Sequence, residues 1–227
     1  MRPSLVLGLV LLSASLEAQA ALIGRLPLTP GGVDYQAYFD TDLNITWQAN
    51  ANLAVTETFG VESIADDGRM TWYTAMDWID AMNAASYLGY NDWRLPVTTQ
   101  PDPSCPAQYD PGGGLPIQGF GPGCAGSEMG HLFNMENITY YAPSPFGNLF
   151  GAYWSETDLA YKPAYAIHFT FGIGDQIGEQ KNLQGNWAWA VRSGDVAIIP
   201  IPAAAWMLAS AFAILATVRR RAIPASE

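Results

Sequence analysis

The segment YAIHFTF at residues 165–171 decides the fold class, because it alternates as an amphipathic β-strand does. Successive side chains of a strand point to opposite faces of the sheet. One face of this strand carries large apolar residues, namely Tyr165, Ile167, Phe169 and Phe171. The other face carries small or polar ones, namely Ala166, His168 and Thr170. The pattern therefore predicts a sheet strand with one apolar face.

Further strands are predicted on both sides of this segment, because short runs rich in aromatic and β-branched residues recur along the chain. They are residues 35–39, 44–48, 153–155 and 187–192. The strands do not alternate regularly with helices, which favours an antiparallel sheet over a parallel one.

Two segments have helical spacing. Thr71 is the predicted N-cap of the first helix, whose apolar face consists of Trp72, Ala75, Met76, Ile79 and Met82. The second helix is predicted to begin at Ser127, with Glu128 favourably placed near its N-terminus. It presents Met129, Leu132, Phe133 and Glu136. The expected fold class is α+β, with antiparallel sheets and two helices.

The first twenty residues predict a secretory signal peptide. Arg2 supplies the positive charge, residues 5–12 form the apolar region, and Ala18-Gln19-Ala20 is a small-x-small cleavage site. Cleavage after Ala20 would start the mature chain at Ala21. An uncleaved anchor is the alternative, but about eight apolar residues are too few to cross about 30 Å of hydrocarbon.

The C-terminal region predicts a transmembrane helix within residues 198–221, followed by a cytoplasmic tail at 222–227. The uncharged run at 203–218 spans roughly 24 Å as a helix, so residues 198–201 must also enter the membrane. Arg219, Arg220 and Arg221 follow at once and should stay in the cytoplasm. Residues 21–197 are therefore expected outside the cytoplasm, anchored in the inner membrane.

The sequence IPIPAAAW at 199–206, the apolar run and the arginine cluster together resemble the VPLPA variant of PEP-CTERM sorting signals. Isoleucine stands here where that motif has Val and Leu. The residues that carry the resemblance are Pro200, Pro202, Ala203, Arg219, Arg220 and Arg221. It implies processing near Pro202 by an exosortase-like protease and delivery to the cell surface. Composition alone supports an ordinary membrane anchor.

The region between the two ends is strongly acidic. The chain has ten basic and 21 acidic residues, and four of the basic ones lie at the ends, at Arg2 and 219–221. Residues 21–198 thus hold six basic and nineteen acidic side chains, a net charge of about −13. Nucleic acid is not an expected partner, because binding it needs clustered Lys and Arg. Any glycan partner should be neutral or bridged by a divalent cation.

The two cysteines, Cys105 and Cys124, lie in a segment rich in Pro and Gly between the two predicted helices. In an oxidising compartment a structural disulfide between them is expected. A redox-active pair would need a spacing such as Cys-x-x-Cys, which is not present. The bond should staple this insertion rather than join two sheets.

No catalytic, cofactor or metal site is predicted. His131 and His168 are the only histidines and neither lies in a motif, so both are expected to be structural or surface residues. Zinc is not expected with two scattered histidines and paired cysteines. Asp40-Thr41-Asp42-Leu43-Asn44 starts like an EF-hand loop but lacks its glycine and its terminal glutamate, and predicts a turn between strands. Calcium elsewhere stays open, with no site assigned.

Eight tryptophans are many for this length, and core packing is their simplest explanation. Stacking against sugars is the alternative for those that prove exposed.

Six blocks in order resemble the Lcl C-terminal-like domain over nearly all of residues 21–197. They are DTDLNITWQANAN (40–52), RMTWYTAMDWIDAMN (69–83), YLGYNDWRLP (87–96), GSEMGHLFNME (126–136), YWSET (153–157) and WAWAVRSGDV (187–196). The resemblance implies a fold like that of C-type lectins and the formylglycine-generating enzyme.

The same resemblance implies adhesion or glycan contact, so a non-catalytic surface binding module is the function expected. A structural envelope or exopolysaccharide-matrix component is the alternative. The enzyme hypothesis is weaker, because formylglycine generation depends on active-site cysteines and these two cysteines do not match that arrangement.

Overall fold

The computed structural model describes residues 22–196, which contain nine β-strands and two α-helices. The strands, in chain order, are β1 (Leu22–Pro27), β2 (Tyr35–Asp40), β3 (Ile45–Gln48), β4 (Ala107–Tyr109), β5 (Gln118–Pro122), β6 (Ala152–Asp158), β7 (Tyr165–Thr170), β8 (Asp175–Gln180) and β9 (Val191–Ser193). The helices are α1 (Trp72–Ala84) and α2 (Glu128–Asn134).

The strands form two sheets. One has the order β1-β2-β3-β9 and the other the order β4-β5-β8-β7-β6. Every strand pair in both sheets is antiparallel. The predicted α+β class with antiparallel sheets and two helices is therefore confirmed.

Strand prediction succeeded for β2, β3, β6 and β7 and failed elsewhere. The segment predicted as a strand at 187–192 is mostly irregular, because only its end joins a sheet as β9. Before that point Trp187 makes an isolated bridge to Tyr153, so the chain passes from one sheet to the other there. Strands β1, β4, β5 and β8 were not predicted.

Both predicted helix starts are confirmed, because the N-cap hydroxyls of Thr71 and Ser127 accept hydrogen bonds from the amides of Thr74 and Gly130. The buried face of α1 includes Trp78, which the predicted stripe omitted, while Trp72 and Met76 are only partly buried. Helix α2 is short and ends at Asn134. Glu136, predicted as a helical position, thus lies beyond the helix.

Two hydrophobic cores lie on opposite faces of β6. Neighbouring residues of β6 enter different cores, Tyr153 the first and Trp154 the second. The first core packs α2 against the four-stranded sheet, around Trp47, Met129, Leu132, Phe169, Phe171 and Trp189. The second packs around α1 and contains Trp78, Met82, Trp93, Leu95, Trp154 and Ala166. Side chains of β7 therefore alternate between two environments as predicted, but both faces of the strand are buried rather than only the apolar one.

The Trp-Arg-Leu-Pro block at 93–96 joins the two cores. Trp93 and Leu95 are buried in the second core, and Asn83 of α1 hydrogen-bonds both the amide and the carbonyl of Trp93 at 2.8 Å. Arg94 points the other way and makes a bidentate ion pair with Glu128, with N–O distances of 2.7 and 2.6 Å. Helix α2 is thereby fixed to this block.

Cys105 and Cys124 form a disulfide. They flank the β4–β5 hairpin, which is the edge of the five-stranded sheet. The expected insertion is therefore part of a sheet rather than a free loop, although the bond does not join the two sheets.

The predictions for the two chain ends concern residues outside the described range 22–196. They are the signal peptide with Ala20, the transmembrane helix, the cytoplasmic tail, and the sorting residues Pro200, Pro202, Ala203, Arg219, Arg220 and Arg221. Between residues 22 and 196, no helix has the length and apolar character needed to cross a membrane.

Candidate functional site

An open cleft of about 270 Å³ is lined by residues that the sequence analysis did not assign to a site. We call it the amide cleft, because three asparagines lie on its wall together with two aspartates. Its lining residues are Asn50, Asn52, Val55, Thr56, Asp66, Asp67, Asn148 and Phe150. Such a mixture of amides, carboxylates and an aromatic ring supplies donors, acceptors and an apolar surface in one place.

Two of the asparagines are brought together from distant parts of the chain. Asn50 lies two residues after the end of β3 and forms an isolated parallel bridge with Gly147. The amide of Ala51 donates to the carbonyl of Gly147 at 2.8 Å, and that of Gly147 donates to Ala49 at 2.9 Å. This bridge places the Asn148 side chain where its Nδ2 donates to Asn50 Oδ1 at 3.0 Å.

The opposite wall is the loop that carries Asp66 and Asp67. Asn52 Nδ2 and Trp187 Nε1 both donate to the carbonyl of Asp67, at 3.0 and 2.9 Å. Hydrogen bonds from the backbone amide and then the side chain of Arg69 lower the pKa of Asp67 below its ordinary value. The Asp67 carboxylate is therefore charged at neutral pH and partly balanced by Arg69.

The aromatic side of the amide cleft is a stacked pair. Phe150 and Trp187 lie with ring centroids 5.4 Å apart and planes 22° apart, and both are half-buried. The Phe150 amide donates to the hydroxyl of Tyr153 at 2.8 Å, which fixes the backbone at this point. The pair offers a rigid ring edge to a ligand lying in the cleft.

The tryptophans mainly form the core, as expected. Five are fully buried, namely Trp47, Trp78, Trp93, Trp154 and Trp189. Trp72 and Trp187 are half-buried, and Trp206 lies outside the described residues. The Lys181 ammonium lies 4.1 Å from the ring centroid of Trp72 and covers it. The Trp187 ring is stacked on Phe150 and has the Arg69 guanidinium 5.9 Å from its centroid, so Trp187 supports the wall of the cleft through Phe150.

The two histidines occupy different environments. His168 is buried on β7 opposite Trp154, and this burial lowers its pKa below 6.5 although Glu179 and Asp175 oppose the shift. His131 of α2 faces the turn at 41–44, with Nε2 4.0 Å from Asp42 and 3.7 Å from Glu136. Neither histidine contacts a serine, threonine or cysteine nucleophile among the hydrogen bonds of residues 22–196.

The predicted turn between β2 and β3 is observed at residues 41–44. Asp40 Oδ1 accepts hydrogen bonds from the amides of Asp42 and Leu43, both at 3.0 Å, and so closes the turn. The EF-hand-like spacing is therefore used to build a turn between two paired strands.

Nearly all basic side chains of the domain are neutralised by acidic neighbours. Arg25, Arg69, Arg94, Lys181 and Arg192 pair with Asp195, Asp67, Glu128, Asp158 and Asp92. Within residues 22–196 only Lys162 has no ion pair, and it lies against the rings of Tyr161 and Tyr165. The structure thus offers no cluster of free positive charge in this part of the chain.

Sequence reasoning missed the amide cleft because its residues lie in loops far apart in the chain. The only local signals are the asparagine pairs in QANAN (48–52) and the FGNLF segment (146–150). Neither has a spacing that indicates which residues meet.

The fold and the cleft together define an α+β domain of two antiparallel sheets and two helices with an open cleft lined by asparagines and aspartates. Comparison of the chain with family models, with curated proteins and with solved structures gives no match.

Proposed function

We propose that residues 22–196 form a non-catalytic binding module that recognises neutral carbohydrate in the amide cleft. The observation that carries the proposal is the convergence of Asn50, Asn148 and Asp66 beside the Phe150–Trp187 stack. Sugar hydroxyls need paired donors and acceptors, which amides and carboxylates supply. The apolar face of a sugar ring needs an aromatic surface, which the Phe150 ring in the cleft supplies.

Charge narrows the class of glycan. The domain carries an excess of acidic groups, and its arginines are held in ion pairs. A sulfated or uronic-acid polymer would be repelled over about 10 Å at 0.1 M salt. The proposal is therefore a neutral glycan, or an acidic one bridged by a divalent cation.

The motif blocks that resemble the Lcl C-terminal-like domain support the same proposal, because that resemblance implies a C-type-lectin-like fold and glycan contact. The two ends of the chain support a location outside the cytoplasm. The proposed route is export, anchoring in the inner membrane, release by an exosortase-like protease and delivery to the cell surface or the matrix.

A structural role in the envelope or the exopolysaccharide matrix is the second candidate. The exposed aromatic pair Tyr140 and Tyr141, with rings 5.1 Å apart, favours it, because such a pair can make non-saturable contacts in a polymer matrix. Formylglycine-type catalysis is not proposed, since Cys105 and Cys124 are joined to each other at the edge of a sheet.

The test is a glycan array probed with the full chain in a non-ionic detergent, with calcium and with a chelator. We expect saturable binding to neutral glycans. Asn148→Ala and Phe150→Leu should each weaken it at least tenfold, because the first removes an exposed amide and the second removes the ring while keeping an apolar side chain. Matched controls are Asn182→Ala and Tyr141→Leu, an exposed amide and an exposed ring elsewhere.

Three outcomes would count against this assignment. Loss of binding in Tyr141→Leu with no effect of Phe150→Leu would place the site on the other aromatic surface. Salt-sensitive binding to heparin-like polymers in the chelator would overturn the electrostatic argument. No saturable binding under any condition would favour the structural role.

A further inference from the structure

Three side chains that could bind a metal ion converge where the β2–β3 turn meets the end of α2. They are Asp42 of the turn, His131 of α2 and Glu136 just after the helix. One ligand atom from each lies within 4.8 Å of the other two. His131 Nε2 is 3.7 Å from Glu136 Oε1 and 4.0 Å from Asp42 Oδ2.

The polar atoms at this point are buried and lack partners. The Glu136 side chain is only 7% exposed, and its Oε1 accepts no hydrogen bond from residues 22–196. His131 Nε2 also has no hydrogen-bond partner among residues 22–196, and the His131 side chain is 13% exposed. Asp40, behind the turn, is fully buried and its Oδ2 has no partner either. Buried polar atoms without partners are destabilising, so a native structure that keeps three together needs a reason.

The negative charge here is not balanced by the protein. None of the ion pairs within residues 22–196 joins a lysine or arginine to Asp40, Asp42 or Glu136. A cation bound by Asp42, His131 and Glu136 would give His131 Nε2 and Glu136 Oε1 a partner and would offset the negative charge of the carboxylates.

The distances fit ligands that share an ion better than groups that bond each other. Separations of 3.7 and 4.0 Å are too long for hydrogen bonds. In a tetrahedral zinc site with ligand atoms about 2.0–2.2 Å from the ion, those atoms lie roughly 3.3–3.6 Å from one another, so the ligands here would close by only a few tenths of an ångström on binding. We propose that Asp42, His131 and Glu136 bind a divalent transition-metal ion, with zinc as the best match.

The ligand types set the class of metal. Calcium in proteins takes six to eight oxygen ligands, whereas imidazole nitrogen together with carboxylate suits zinc and its first-row neighbours. Asp42 is 48% exposed, so the site has an open side through which an ion and a water ligand can enter.

The frame around the site is already rigid. Glu136 is turned back towards α2, with its amide 3.3 Å from the carbonyl of His131, and Ile138 then enters the first core. On the other side Leu43 packs against the same core. The ligands therefore need little ordering on binding, which favours affinity. The site lies at the start of β3 and the amide cleft lies beyond its end, so each proposal can be tested independently of the other.

The test uses the full chain in a non-ionic detergent after chelator treatment, titrated with zinc chloride by calorimetry. We expect one zinc ion per chain with a dissociation constant in the micromolar range or tighter, and weaker binding of calcium. Glu136→Gln and His131→Gln should each weaken zinc binding at least tenfold. Asp42→Asn is the variant that keeps the test valid if a buried substitution unfolds the chain, because Asp42 is half exposed.

Controls come from groups of the same kinds elsewhere: His168→Gln for the histidine and Asp175→Asn for the aspartate. Both should bind zinc like the unmodified chain. Absence of zinc binding at millimolar concentration would overturn the proposal and indicate that Glu136 and His131 share a proton instead. Binding that survives Asp42→Asn, His131→Gln and Glu136→Gln unchanged would overturn it as well, because the ion would then lie elsewhere.

Discussion

At the scale of single residues, the burial of His168 makes the stability of the folded protein depend on pH. Its pKa is lowered by burial below the ordinary 6.5, at which the imidazole of the unfolded chain titrates. Below pH 6.5 the unfolded chain therefore takes up a proton that the folded protein resists, and stability falls as the pH drops towards the folded pKa. We predict that His168→Leu makes the unfolding free energy fall less between pH 7 and pH 5, as measured by urea denaturation at several pH values.

The neighbouring substitution Ile167→Val is the control for this prediction. Ile167 is fully buried and does not titrate, so the variant should lose about 1 kcal/mol at every pH and leave the slope unchanged. A slope in His168→Leu equal to that of the unmodified protein would show that this histidine does not contribute to acid destabilisation.

Single residues also show how far sequence reasoning reaches. The alternation in residues 165–171 is local and correctly separated Phe169 and Phe171 from His168. Which tryptophan stays accessible depends on distant partners, since Trp72 is covered by Lys181. The amide cleft depends on a bridge between Asn50 and Gly147, nearly a hundred positions apart. Pairings of that kind leave no periodic pattern in a single sequence.

At the scale of elements, the β4–β5 hairpin is the weakly attached edge of its sheet. It pairs with β8 through only two residue pairs, and Gln176 Nε2 adds one hydrogen bond to the carbonyl of Gly119 at 3.0 Å. The disulfide joins Cys105, just before the hairpin, to Cys124, just after it. We predict that Cys105→Ala with Cys124→Ala lowers the unfolding free energy by about 3 kcal/mol or less, since a loop of about twenty residues is opened.

The expected loss is local. Hydrogen exchange should become faster at residues 107–122, whereas the amides of β7 in the centre of the sheet should stay protected. The double Ser variant is the comparison: it should lose about as much stability as the double Ala variant, because Cys124 is fully buried but its Sγ lies 3.1 Å from the carbonyl oxygen of Gly121, to which a serine hydroxyl can donate. Equal loss of protection in β7 would show that the hairpin is not a separate unit.

Helix prediction worked because its signals are local. Thr71 and Ser127 were identified as N-caps from their own short context. The end of α2 was not identified, since nothing in the sequence showed that the chain would turn back at Glu136. That turn is what brings the Glu136 carboxylate to His131. The edge hairpin was missed because Pro and Gly around it favour a loop, while its pairing depends on distant β8.

At the scale of the whole molecule, the two ends of the chain predict where the domain works. A predicted signal peptide, a Pro-x-Pro segment, an apolar run and three arginines occur in the order that the proposed secretion and sorting require. We predict that protein released from cells with a cognate sorting protease lacks residues 1–20 and everything beyond the region of Pro202. Intact mass of the released protein measures both ends at once.

The chemistry of the Pro-x-Pro segment gives this last prediction its variant and its control. Pro200 and Pro202 cannot continue a helix, so the backbone before the apolar run should stay extended and open to a protease. Replacing both by Ala should reduce release at least tenfold and leave the protein in the membrane fraction. Pro224→Ala, beyond the arginine cluster, should be released normally. A released species that still contains Arg219, Arg220 and Arg221 would contradict sorting, whatever the fate of the signal peptide.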